Sequence, residues 1–183
     1  KELEDIIREA EKLIEENSRK NKEMLDRSKE LIERNERKNR DVIRRLEELI
    51  EDLRRIAEEI KDKDTLRKIL REILEELKEL AKRLRDTNRE SEKRNRDLVK
   101  RIREENEKSK RDLKRLIDDA VRRAGRKSEE LDRLRKKLED NIRESEKELR
   151  RSEEETKKLI DDSERELERI ERRARELLER VRR

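Results

Sequence analysis

Residues 21–39 read NKEMLDRSKELIERNERKN. Apart from Met24 and Leu31, every uncharged residue in this stretch falls at Asn21, Leu25, Ser28, Ile32, Asn35 or Asn39. These positions step alternately by four and three, which puts all six on one face of an α-helix. The pattern continues in both directions. Leu3, Ile7, Ala10, Ile14 and Asn17 precede it as an 18-residue repeat, and Ile43, Leu46, Ile50 and Leu53 follow at the same offset. Residues 142–178 repeat it, as Ile142, Ser145, Leu149, Ser152, Thr156 and Ile160, then Ser163, Leu167, Ile170, Ala174 and Leu178. Such an offset is five turns of about 3.6 residues, the period of a straight helix, whereas a sustained heptad repeat imposes a left-handed supercoil.

Two places interrupt the stripe. At Lys61-Asp62-Lys63-Asp64-Thr65 the spacing lapses, and Asp64 is positioned as an N-cap. At Ala124-Gly125-Arg126-Lys127-Ser128 stands the single glycine of the chain, suited to the left-handed residue after a helix end, with Ser128 as the next cap. The expected fold is therefore all-α: a long, straight, antiparallel up-down-up three-helix bundle with little supercoil. One domain, 1–183, is predicted, with helices over about 2–61, 65–123 and 128–182.

Polar residues inside the stripe carry the most information. Of 19 Asn, Ser and Thr residues, 15 lie on the apolar faces. They are Asn17, Asn21, Ser28, Asn35 and Asn39; Asn88, Ser91, Asn95, Asn106 and Ser109; and Asn141, Ser145, Ser152, Thr156 and Ser163. A polar group buried without a partner costs about 1 to 3 kcal/mol. Fifteen orphans would exceed the roughly 5 to 15 kcal/mol by which folded domains are stable, so these side chains must pair. Folding the chain about its two breaks supplies the partners. Asn17 and Asn21 fall near Asn106 and Ser109, which face Ser145 and Asn141. Ser28 falls near Asn95, which faces Ser152 and Thr156. Asn35 and Asn39 fall near Asn88 and Ser91, with Ser163 opposite Asn88. Three polar layers are predicted, the outer two related by the 18-residue offset as if one network were placed twice. Their expected role is to fix register and topology, because a hydrogen-bond network penalises wrong registers more than it strengthens the right one.

Composition excludes most chemistry. The 183 residues contain 59 Lys and Arg and 54 Asp and Glu, but no His, Cys, Pro, Gln or aromatic residue. There is no thiol nucleophile, imidazole base or soft metal ligand, so no catalytic, cofactor-binding or metal residue is expected, and no enzyme activity. Adjacent acids such as Asp118-Asp119 and Asp161-Asp162 diverge by about 100° on a helix and lie among cations, as on a solvated face. Residues 64–126 hold 22 basic and 15 acidic side chains, interspersed and without aromatics, so no specific nucleic-acid binding is expected. No apolar run exceeds two residues, so neither a membrane span nor a leader is expected. The chain reads as soluble, and cytoplasmic if expressed recombinantly.

Helix one carries the widest apolar stripe, with Ile32 and Ile43 on one flank and Leu31 and Val42 on the other. That width leaves open a homo-oligomer or a captured partner helix, although no partner is required. With near-equal helices, short capped links, a Leu and Ile core, a Glu, Lys and Arg surface and repeated Asn and Ser layers, the whole chain resembles computationally designed helical bundles with buried hydrogen-bond networks. Natural spectrin-like three-helix repeats typically have core aromatics, absent here. The resemblance implies a scaffold with no natural substrate, pathway or compartment. The alternative function is an interaction module that self-associates or captures a helix through the wide face of helix one.

Overall fold

The computed structural model describes residues 2–182, and among them the chain forms three helices and no strand. Helix α1 spans Glu2–Glu59, α2 spans Lys63–Ala124 and α3 spans Glu129–Arg182. With no proline and one glycine in the chain, nothing inside these segments breaks the backbone ladder.

Local chemistry sets the helix ends. The N-cap of α2 is Asp62, which corrects the expectation of Asp64. Asp62 Oδ2 accepts the Thr65 hydroxyl at 2.6 Å and the Thr65 N–H at 3.4 Å. With Lys63 as the first helical residue, Thr65 is the third, whose N–H a cap oxygen reaches. Asp64 instead lies inside the first turn, where its charge complements the helix dipole. Helix α1 ends at Glu59, short of the expected boundary at 61, and half-buried Ile60 packs against the cluster around Leu53, Leu66 and Leu70. At the second link Gly125 has φ 68°, and its N–H donates to the Val121 carbonyl at 2.9 Å, closing α2 with a left-handed residue. Ser128 Oγ accepts the Leu131 N–H at 3.4 Å and caps α3 as expected.

The chain packs as two compact units, the first comprising Lys1–Glu30 and Arg94–Glu154, the second Leu31–Lys93 and Glu155–Arg183. Each takes a stretch from all three helices. In the first, moving forward along α1 from Asn17 to Ser28 moves the partner backward along α2, from Asn106 to Asn95, so these stretches run antiparallel. One cluster there joins Ile6, Ala10, Ile14, Leu113, Leu131 and Leu138, and a smaller one joins Leu25, Val99, Ile102 and Leu149. In the second unit α1 and α2 are again antiparallel, since the partner falls from Asn88 to Glu76 as α1 advances from Asn39 to Arg45. Its main cluster joins Leu46, Leu49, Ile50, Leu84, Leu167 and Ile170. Leu149 and Leu167, equivalent positions of the repeat, are both wholly buried at 0% exposure.

Among the described residues no large apolar side chain is exposed. Ile32 and Ile43 are half-buried, and Val42 and Ile43 pack against the Leu46 cluster. Part of the wide flank of α1 thus covers its own core.

Candidate functional site

The candidate site is the set of Asn, Ser and Thr side chains on the inner faces. Fourteen of the fifteen are buried. Asn141 is the exception: it is half-buried and makes no side-chain hydrogen bond among the described residues. It and Ile142, which packs at the edge of the Leu138 cluster, lie about 100° apart and flank the centre of the inner face, so neither is fully enclosed.

In the first unit, Asn17 Nδ2 donates to Asn106 Oδ1 at 3.1 Å and to Ser109 Oγ at 2.9 Å. Asn21 Nδ2 donates to the same Asn106 oxygen at 2.7 Å and to Asn17 Oδ1 at 3.4 Å. One carbonyl of α2 thus accepts from two consecutive inner positions of α1, which only one axial alignment of these helices permits. Ser145, expected to carry this layer onto α3, is buried with its hydroxyl unpartnered. The layer therefore joins two helices.

A second group in the same unit joins all three helices. Ser28 Oγ donates to Asn95 Oδ1, Ser152 Oγ donates to the same oxygen at 3.2 Å, and the two hydroxyls lie 2.6 Å apart. Two hydroxyl protons serve three close contacts, so one side of this triangle lacks a proton whenever the other two are bonded. Thr156, expected in the same layer, is buried.

The second unit contains a relay. Asn39 Nδ2 donates to Asn88 Oδ1 at 2.8 Å, Asn88 Nδ2 donates to Ser163 Oγ at 2.9 Å, and Ser163 Oγ donates to the Ile160 carbonyl at 3.0 Å. Here α2 binds both neighbours through the two ends of one amide. Ser91 is buried but adds no bond to the relay among the described residues, and both polar side-chain atoms of Asn35 are buried without a partner.

The outer layers are therefore not one network placed twice. One bond recurs at the 18-residue offset, Asn21 to Asn106 and Asn39 to Asn88, at 2.7 and 2.8 Å. Elsewhere they diverge, because the Asn17 amide reaches α2 while its counterpart Asn35 does not, and because Ser163 meets an amide while its counterpart Ser145 does not. Among the described residues five buried side-chain atoms remain unpaired, on Asn21, Asn35, Asn39 and Ser145, against the expectation that all would be satisfied.

A feature outside the stripe repeats more faithfully. Arg103 on α2 binds Glu146 at 2.8 Å and Glu153 at 2.9 Å on α3 in the first unit. Arg85 binds Glu164 at 2.9 Å and Glu171 at 3.2 Å in the second. The arginine and both glutamates recur at the same 18-residue offset, so the signal lay in the sequence, hidden among 113 charged side chains because an apolar-stripe reading ignores charged positions. The hydrogen bonds that Arg103 donates to Glu146 and Arg85 to Glu164 raise both guanidinium pKa values above their ordinary value. At a third to a half exposure, such pairs are worth about 1 kcal/mol at most.

No group of three or more acidic residues that could hold a metal ion occurs among the described residues, and no helix among them is long and apolar enough to cross a membrane. No protein-family model and no curated protein matches the sequence. Among solved structures the chain is similar to one described as a computationally designed three-helix bundle, at 17% identity over 98% of this chain and 86% of that one, with a TM-score of 0.50. The fold is that of a three-helix bundle, with hydrogen bonds between Asn and Ser side chains buried inside it.

Proposed function

We infer that the chain is a designed structural scaffold without a biochemical activity of its own, in which buried polar side chains specify register and topology. The observation that carries this reading is the Ser28, Asn95 and Ser152 group, where one amide oxygen meets hydroxyls from both other helices. A shift of any helix by one residue turns its contributing side chain by about 100° and breaks the group. Apolar contacts tolerate such shifts far better, since they lack directional partners. The scaffold needs no partner, and no large apolar side chain of α1 stands exposed for one among the described residues.

The test replaces the polar groups of the first unit together, with Leu at Asn17, Asn21, Asn95 and Asn106 and Ala at Ser28, Ser109 and Ser152. The variant is expected to stay helical but to lose uniqueness, read as multiple amide resonances per residue or as masses above the 22.7 kDa monomer in light scattering. A monomeric variant with one sharp set of resonances would show that these residues do not specify the fold. A parent protein with a mass that is a multiple of 22.7 kDa would replace the self-contained scaffold with an assembling one.

A further inference from the structure

The second unit contains an apolar cleft of about 290 Å³ between α2 and α3. Its walls are Leu77, Leu167 and Ile170, with the buried Leu46 of α1 contributing to the lining. The 18-residue repeat accounts for the chemistry of its lining. Ala81 stands where the repeat carries Val99, and Ala174 where it carries Thr156, so two branched side chains are missing from facing helices. The polar triangle is missing too: Leu46, Leu77 and Ile170 occupy the positions equivalent to Ser28, Asn95 and Ser152. What remains is a hydrocarbon-lined slot near the lower bound of roughly 300 Å³ for small-molecule clefts.

Its rim is cationic. Lys78 and Arg175 line the cleft and are exposed. The one acid there, Glu171, is held by Arg85 at 3.2 Å. Lys78 has only a loose pair with Glu75 at 3.8 Å, and Arg175 has no ion pair among the described residues. A narrow apolar slot with two available cations at its rim matches a single-chain anionic amphiphile, with the alkyl chain between α2 and α3 and the headgroup between Lys78 and Arg175. We propose that this cleft is a binding site for medium-chain alkyl carboxylates, a property beyond the scaffold reading.

The test titrates the intact protein with sodium decanoate, followed by calorimetry and backbone-amide NMR. Saturable one-to-one binding is expected, with shifts confined to residues 74–81, 167–178 and the neighbourhood of Leu46. Octanoate should bind about tenfold more weakly, as two fewer buried methylenes require. Decanol and decyltrimethylammonium should both bind several-fold more weakly than decanoate. Ala81→Val, which restores the residue of the repeat, and Ala174→Val should each weaken decanoate binding about tenfold by filling the slot. Should either substitution disturb folding, Lys78→Glu with Arg175→Glu decides alone, because both side chains are exposed and their exchange leaves the core intact. That variant should lose the preference for decanoate over decyltrimethylammonium. Non-saturating binding, shifts spread over the other unit, unchanged affinity in a folded Ala81→Val protein, or unchanged preference in the charge-reversed variant would each overturn the proposal.

Discussion

Asn35 and Asn88 are both buried asparagines of the second unit, and they are energetically opposite. Asn88 uses both ends of its amide, accepting from Asn39 and donating to Ser163, whereas Asn35 has neither end paired. An unpaired buried polar group opposes folding by about 1 to 3 kcal/mol, and leucine has a similar branched shape without that penalty. Asn35→Leu is therefore expected to raise the unfolding free energy by about 1 to 3 kcal/mol. Asn88→Leu should lower it by a similar amount, because it strands the Asn39 amide and deprives Ser163 of its donor. Urea denaturation of the two single variants checks the contrast; equal effects of the same sign would contradict the bonding pattern. Sequence spacing placed both residues on the inner face and could not separate them. The difference lies in whether a short side chain spans the gap to the next helix, a small separation that periodicity does not encode.

At the scale of the elements, two helix ends make distinct predictions. The hydrogen bonds from Thr65, first from its hydroxyl and then from its N–H, lower the pKa of Asp62 below the ordinary carboxylate range. A carboxylate depressed in the folded state adds stability above its unfolded pKa of about 3.9 and loses it as pH falls through the folded value. The Asp62→Ala variant should therefore denature earlier than the parent near neutral pH, and the difference should close below about pH 4. A gap independent of pH would mean that the ionised cap is not what matters. Gly125 is the second case. Apart from its two chain neighbours, nothing lies within 4 Å of where its Cβ would stand, so Gly125→Ala meets no packing clash, and its effect comes from φ 68°. The expected loss is about 1 to 2 kcal/mol, read from thermal unfolding. The Gly125 break and the Ser128 cap were legible because only one glycine exists to choose. In Lys-Asp-Lys-Asp-Thr two aspartates competed for the cap, and the residue at which the helix starts, a cooperative property of the backbone, decided between them.

For the whole molecule, the abundance of charge contributes little net stability. The net charge is +5 from 59 cations and 54 anions, and most ion pairs are exposed partners three or four positions apart on one helix. Such pairs are worth about 0.2 to 0.5 kcal/mol each and weaken with salt, but so do the like-charge repulsions beside them. Raising sodium chloride from about 0.05 to 0.5 M should thus move the urea midpoint only slightly, with a change under roughly 1 kcal/mol. A large salt-induced loss would show that the Arg85 and Arg103 bridges, with their symmetric carboxylate partners, carry more of the stability than their exposure allows.

The sequence alone determined that this chain is three long helices with two interruptions, and which positions form the inner stripe of each, because the period of an α-helix and the rarity of glycine set both to within a few residues. It also brought Asn17 and Asn21 near Asn106, and Ser28 near Asn95, since antiparallel folding about fixed links sets register to within a turn. Tertiary structure decided the rest. It showed which inner polar groups bond and which are stranded, that Asn141 lies at the edge of its face, that Arg85 and Arg103 each hold two carboxylates, and that an apolar cleft opens between α2 and α3. The physical reason is range. Periodicity fixes the direction of a side chain about its own axis, whereas hydrogen bonds and close packing depend on separations between helices that no single helix specifies.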